Sequence, residues 1–242
     1  MLLENKTAII YGGAGAIGSA VASDFANEGA IVHLVARSGA PLEELSRRIA
    51  KSGGRAEVAT LDVTDRVGVA QHAEAVAQRA GIDIAFNAIS NDDLQGTPLV
   101  DMADKDVLRP VIKAVTTHLT LATAVARHMI PRRSGVILAM GGGREAIPRL
   151  GGSHIAWSAL AGLCRQLASE LGPHGVRVLW LLSPGSPDPS VPLEDDPEAA
   201  TTLLHRRPRL EDVAHAAAFA ASDRAATMTA TEINLTGGAV VD

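Results

Sequence analysis

The chain has 242 residues, 47% of them hydrophobic and 20% charged, with a formal net charge of -5. Two Trp, one Tyr, three Phe and one Cys exclude an aromatic base-stacking platform for nucleic acid, an internal disulfide and a Cys-based zinc cluster. The acidic balance argues against binding to a phosphate backbone, and the length fits one domain.

With so few aromatics, the core must be built from Ala, Val, Ile and Leu. Short β-branched runs alternate with longer Ala-rich amphipathic stretches. The pattern predicts a strand over 6–12, a helix over 16–29, a strand over 30–36 and a helix over 41–54 opening on Pro41. A strand follows at 56–62, then a helix over 64–81 with Thr64 as its cap, and a strand at 82–88. A long helix at about 104–130, interrupted early by Pro110, leads to a strand at 135–141. A helix at 153–175, a strand at 176–185, a helix at 209–222 and a strand at 231–238 complete the chain. Pro-rich, acidic residues 183–198 read as a mobile loop. Strict alternation implies right-handed βαβ units in an α/β fold, a doubly wound parallel seven-stranded sheet flanked by helices, with no linker dividing residues 1–242. No apolar run is long enough for a membrane span and the N-terminus lacks a signal-peptide layout, so the expected location is cytoplasmic, without membrane or nucleic-acid partners. No metal-ligand cluster is evident.

After the first strand comes Gly13-Ala14-Gly15-Ala16-Ile17-Gly18, a Gly-x-Gly-x-x-Gly sequence that opens a helix. Glycines there let the backbone turn tightly and approach a pyrophosphate at the helix N-terminus, as in a Rossmann dinucleotide site. The end of the second strand selects the cofactor. A ribose-binding acid is expected near residue 36, which is Ala36, followed by Arg37 and Ser38. An arginine offers a fork for a 2′-phosphate, so the pattern favours NADP(H) over NAD(H). His33, in mid-strand, reads as a core histidine.

The chain resembles the short-chain dehydrogenase/reductase family along nearly its whole length, through YGGAGAIG (11–18), LDVT (61–64), FNA (86–88), GVIL (135–138), LAGLCRQLASELGPHGVRV (160–178), SPG (183–185), EDVAHAAAFAASD (211–223) and TEINLTGG (231–238). The family's glycine loop usually begins with threonine and has a middle glycine, where this chain has Tyr11 and Ala16. Gly12 and Gly18 remain. The resemblance implies that Asp62 and Val63 face the adenine, that Asn87 and Ala88 lie along the cofactor ribose, and that Pro184 and Gly185 border the nicotinamide. Ile89 stands where the family commonly has glycine.

The same resemblance implies a catalytic serine, a Tyr-x-x-x-Lys pair and an asparagine. Their positions fall on Gly142, Ser153, Trp157 and Ala114. The replacement agrees with residue counts alone: the only tyrosine is Tyr11, and the lysines are Lys6, Lys51, Lys105 and Lys113. Candidates for proton transfer are then Ser153 and His154, with Arg144, Glu145, Lys113 and His118 near the expected pocket. His154 is favoured because it titrates near neutrality. Three readings stand open: an oxidoreductase acting on a small carbonyl or alcohol through a non-standard site, a non-redox enzyme of the dehydratase or isomerase type, or a catalytically inactive nucleotide-binding homologue. The loop at 183–209, with Pro187, Pro189 and Pro192, would shape the small-molecule pocket. By resemblance, the long helix and the helix at 153–173 pair across one two-fold axis, and the last strand region across another, in a homodimer or homotetramer.

Overall fold

Strands apolar on both faces form the centre of the molecule, which a computed structural model describes over residues 1–186, 192 and 196–241. The strands are β1 (Thr7–Tyr11), β2 (Ile31–Ala36), β3 (Arg55–Thr60), β4 (Ile84–Asn87), β5 (Gly135–Met140), β6 (Val176–Leu182) and β7 (Thr231–Asn234). They make one parallel seven-stranded sheet in the order β3-β2-β1-β4-β5-β6-β7. The helices are α1 (Ala16–Asn27), α2 (Gly39–Lys51), α3 (Arg66–Ala80), α4 (Asp104–Arg132), α5 (Ser153–Leu171) and α6 (Leu210–Ala221).

Alternation along each strand divides the core in two. Ala8 and Ile10 of β1, Val136 and Leu138 of β5, and Leu179 and Leu181 of β6 face α1, α2 and α6, where Val21, Phe25, Leu45 and Ala217 cover them. Ile9, Tyr11, Ile137, Ala139, Val178 and Trp180 face α3, α4 and α5, beneath Val69, Leu121, Val125 and Leu160. Such two-sided burial is why the inner strands read as continuous hydrophobic runs. His33 is buried at 4% exposure, as a core histidine, with its ring edge-on to His72. Tyr11 is not part of the glycine turn. It is the last residue of β1, fully buried, and its hydroxyl finds no partner among the described residues.

Several helix features differ from the expectation: α2 opens at Gly39, two residues before Pro41, and ends at Lys51, and α5 ends at Leu171. Thr64 does not cap α3. Asp65 does, its carboxylate accepting from the Val67 and Gly68 amides at 3.1 Å each, whereas Thr64 turns back to donate through its amide and hydroxyl to Asp62 at 2.9 and 2.8 Å. Nor does Pro110 interrupt the long helix, since α4 runs unbroken through it. Proline forfeits one backbone hydrogen bond there, but the ring is buried where α5 begins. A Cβ at Gly152 would lie 2.1 Å from the Val107 carbonyl and 2.8 Å from the Pro110 ring, so glycine at 152 is what lets α5 dock on that turn. Of the Pro-rich segment, Pro187 and Pro189 fall outside the described residues; the last part is closed by Arg207, whose guanidinium grips Asp196 through two 2.8 Å bonds.

Candidate functional site

The strand order reverses at β1, which has β2 on one side and β4 on the other. Helices leave this point in opposite directions, opening a crevice beyond the C-terminal strand ends, the usual ligand position in a doubly wound sheet. A cleft of about 430 Å³ lies there.

The glycine turn forms its first wall. Gly12 has φ +86, and a Cβ on it would come within 2.6 Å of the Ala88 carbonyl. A Cβ at Gly18 would sit 2.2 Å from the Gly12 carbonyl, so Gly18 seats α1 directly on the turn. Gly15 is the residue before α1, and no side chain caps the helix there. Its amide dipoles and open N–H groups therefore remain available to an anion. These features fit a dinucleotide pyrophosphate.

Of the expected cofactor residues, Gly12, Gly15, Arg37, Asp62, Val63 and Ala88 line the cleft. Gly13, Ala16, Ile17, Gly18, Ser38, Asn87, Pro184 and Gly185 are not on its walls. Gly13 and Gly18 support the turn from behind, and Gly185 is exposed at φ +98. Arg37 is exposed at the end of β2 and makes no hydrogen bond or ion pair among the described residues. Asp62 is held ionised well below its ordinary range, first by the Thr64 amide and hydroxyl, then by the charges of Arg37 and Lys113.

Asn87 turns away from the cleft. Its carbonyl oxygen accepts from the Ile89 amide at 3.1 Å, and its amide nitrogen meets His118 Nδ1 at 3.3 Å. His118 is fully buried, with Nε2 at 3.5 Å from Cys164 Sγ. Burial lowers the imidazole to about 4 and raises the thiol to about 12. These two groups are internal packing and carry no charge at neutral pH.

Sequence reasoning assigned no binding role to Ala14, Thr64, Ser90, Asp92 and Thr117, which also line the cleft. Lys113, singled out only as a possible proton-transfer group, lies there too. The available signal was helical phase: Lys113 and Thr117 are one turn apart on α4, facing the end of β4.

The start of α5 forms a separate neighbourhood. Ser153 is fully buried. It is the first residue of α5 and does not cap it. Its hydroxyl donates to Asp93 at 2.5 Å and accepts from Gln95 at 3.1 Å, while Gln95 also donates to Asp93 at 2.7 Å. Partial burial pushes the Asp93 carboxyl up, and the bonds from Ser153 and Gln95 outweigh this and leave it lowered. His154 is half-buried, with Nδ1 shielded and without a hydrogen-bond partner among the described residues. One turn on, the Trp157 ring lies against Gly142, in a cavity of about 150 Å³ shared with Arg165, Trp180 and Glu232. Arg165 stacks over Trp180 at 4.9 Å, and Glu232 accepts from the Trp180 indole at 3.1 Å and pairs with Arg144. Ala114, facing the interior of α4, is buried. The described residues contain no cluster that could hold a metal ion and no helix long and apolar enough to cross a membrane.

Fold and cleft together define a doubly wound α/β protein with an open cleft at the switch point of its sheet. Residues 12–240 match the family model described as Enoyl-(Acyl carrier protein) reductase. Secoisolariciresinol dehydrogenase of Forsythia intermedia is 31% identical, over 98% of this chain and 89% of its own length. The A-factor type gamma-butyrolactone 1'-reductase (1S-forming) of Streptomyces virginiae is 30% identical, over 98% and 96%. The structure of a short-chain type dehydrogenase/reductase from Mycobacterium ulcerans superposes with a TM-score of 0.90 at 24% identity, over 99% of this chain and 91% of that one. The chain belongs to the short-chain dehydrogenase/reductase family of oxidoreductases.

Proposed function

We propose that this chain is an NADP(H)-binding oxidoreductase acting on a small carbonyl or alcohol through a non-standard catalytic site. The observation that carries the cofactor choice is Arg37. It stands on the cleft wall at the end of β2, in an ion pair with no carboxylate among the described residues, and Ala36 beside it offers no acid to a ribose hydroxyl. When bound, the nicotinamide supplies or accepts the hydride. Gly12, Gly15 and the uncapped start of α1 would hold the pyrophosphate, Arg37 the 2′-phosphate, and Asp62 and Val63 the adenine side.

The non-standard site is supported by what occupies the family's catalytic positions. Gly142 carries no hydroxyl, Trp157 carries no charge, and Ser153 is tied to Asp93 and Gln95 below the surface. Tyr11 cannot stand in, because it is sealed in the core and burial raises its phenol far above the ordinary value. Proton transfer at the substrate oxygen falls to a group near the start of α5, where Ser153, His154 and Asp93 are the titratable or hydroxylic side chains. Pairing of α4 and α5 with a second copy belongs to the same reading and is supported by Leu108, Ile112 and Ile155, exposed apolar side chains on those helices.

Titration of the purified protein with NADPH and NADH, followed by cofactor fluorescence, tests the reading. Wild type should prefer NADPH. Arg37→Ala should weaken NADPH about 10- to 100-fold, roughly 1.4–2.8 kcal/mol, and leave NADH nearly unchanged. Equal losses for both cofactors would remove the 2′-phosphate assignment, and failure of wild type to bind either would remove the nucleotide reading itself.

A further inference from the structure

We propose that Lys113 is a second phosphate-binding cation of the nucleotide cleft, held by Asp92 as an internal counter-ion that the ligand displaces. The proposal rests on the nucleotide reading above and adds a residue and a mechanism of exchange to it.

Lys113 is the only lysine among the described residues that line the cleft, and it enters from α4, on the wall formed with Thr117, Ser90 and Ile89. Its side chain is only 20% exposed, so the ammonium is directed into the crevice and not into bulk solvent. The Thr117 hydroxyl, one turn further on, is spent on the Lys113 carbonyl at 2.8 Å. The ammonium itself pairs with the Asp92 carboxylate. A half-buried ammonium needs such a partner, because an unpaired charge there loses solvation without compensation.

Three features make Asp92 a placeholder. Its side chain is 52% exposed, so a released carboxylate would hydrate at little cost. Its backbone has φ +54, a conformation unusual for a residue other than glycine. The segment around it does not depend on the carboxylate for attachment to α4, because Arg109 already donates to the Asp92 carbonyl at 3.0 Å. A nucleotide phosphate meets the same ammonium with more oxygens and more charge, and it lies beside the uncapped N-terminus of α1, which favours anions. Arg37 supplies a separate cation at the end of β2, so the two positive groups need not share one phosphate.

A double-mutant series separates direct contact from simple neutralisation of Asp92. Affinities of wild type, Lys113→Met, Asp92→Asn and the double variant are measured for NADPH, AMP and adenosine. Lys113→Met should weaken NADPH and AMP about tenfold and leave adenosine within about twofold, because the lost contact is to phosphate. Asp92→Asn should bind both phosphates as tightly as wild type or tighter. The double variant should remain about tenfold weaker than Asp92→Asn. A double variant that binds like Asp92→Asn would show that Lys113 only neutralises Asp92, and an equal loss for adenosine would show that the contact is not to phosphate. Either result overturns the proposal while leaving the nucleotide reading intact. Wild type that binds none of the three overturns both. Thermal unfolding of all four proteins well above the assay temperature confirms that the affinities report on the cleft.

Discussion

Gly142→Ser is expected to destabilise the protein by about 1–3 kcal/mol, the range for forcing extra atoms into a packed contact. A Cβ at this position would fall 2.1, 2.3 and 2.5 Å from three atoms of the Trp157 ring system. These are the fused-ring atoms of a rigid side chain, so the indole must leave as a whole or the backbone must move. The partly exposed ring has room to swing, which sets the cost near the lower half of the range if it does. Trp157→Ala alone should cost less, because Gly142 tolerates an empty neighbour. Gly142→Ser placed on Trp157→Ala should then be nearly neutral, giving a coupling of about 1–2 kcal/mol in a double-mutant cycle by urea unfolding. Additive losses would show that the two sites do not obstruct each other.

The interlock bears on function. On the proposed reading, Gly142 and Trp157 occupy two positions where the family resemblance implies a serine and a lysine. A serine cannot be introduced at 142 while the indole stays, so a hydroxyl restored there alone would report mainly on strain. The informative variant for recovered reductase chemistry is the set Gly142→Ser, Ser153→Tyr and Trp157→Lys together. Its background is favourable in one respect: Asp93 and Gln95 already approach residue 153 from the segment after β4.

Much of the fold was legible because strand and helix periodicities differ and because a sheet buried on both faces leaves unbroken apolar runs. Gly13 to Gly18 and Arg37 were legible for a local reason, since a turn and a strand end bring their residues together without help from the rest of the chain. Interactions decided at long range were not. Pro110 reads as a break, yet α4 passes through it because glycine at 152, far along the chain, lets α5 cover the ring. Thr64 reads as the cap of α3, yet Asp62 takes both of its donors and Asp65 caps the helix instead. Asp92 and Lys113 are 21 residues apart, and Asp93 and Ser153 are 60 apart; neither pairing follows from local pattern. Ser153 illustrates the consequence. Its place at the head of α5 is clear from sequence, but its burial depends on the segment carrying Asp93 and Gln95.

The second large effect is acid sensitivity from His118. Among the described residues the imidazole has no carboxylate nearby. Its neighbours are the Asn87 amide at 3.3 Å and the Cys164 sulfur at 3.5 Å. The Asn87 oxygen is fixed by the Ile89 amide, so its NH₂ faces Nδ1 and the neutral ring carries its proton on Nε2, toward sulfur. A second proton on Nδ1 would face that NH₂ group at a fully buried position. Burial accordingly lowers the folded-state value from 6.5 to about 4. Between these limits the unfolded chain binds a proton that the folded chain refuses, so stability increases with pH across the window and is level above it. Refusing that proton corresponds to about 3 kcal/mol lost on going from pH 7.5 to pH 4. His72 and His33 are also lowered, mainly by burial, and add slope of the same sign. His118→Gln retains an acceptor for Asn87 and removes the titration. It should lower stability at pH 7.5 through imperfect packing, and its stability should fall less steeply than that of wild type between pH 6.5 and 4. Parallel acid limbs for the two proteins, measured by urea unfolding at several pH values, would place the acid sensitivity elsewhere. Asn87 also ties down the Ile89 amide on the cleft wall, so on the proposed reading NADPH affinity should fall over the acid part of the same window in wild type and hold better in His118→Gln.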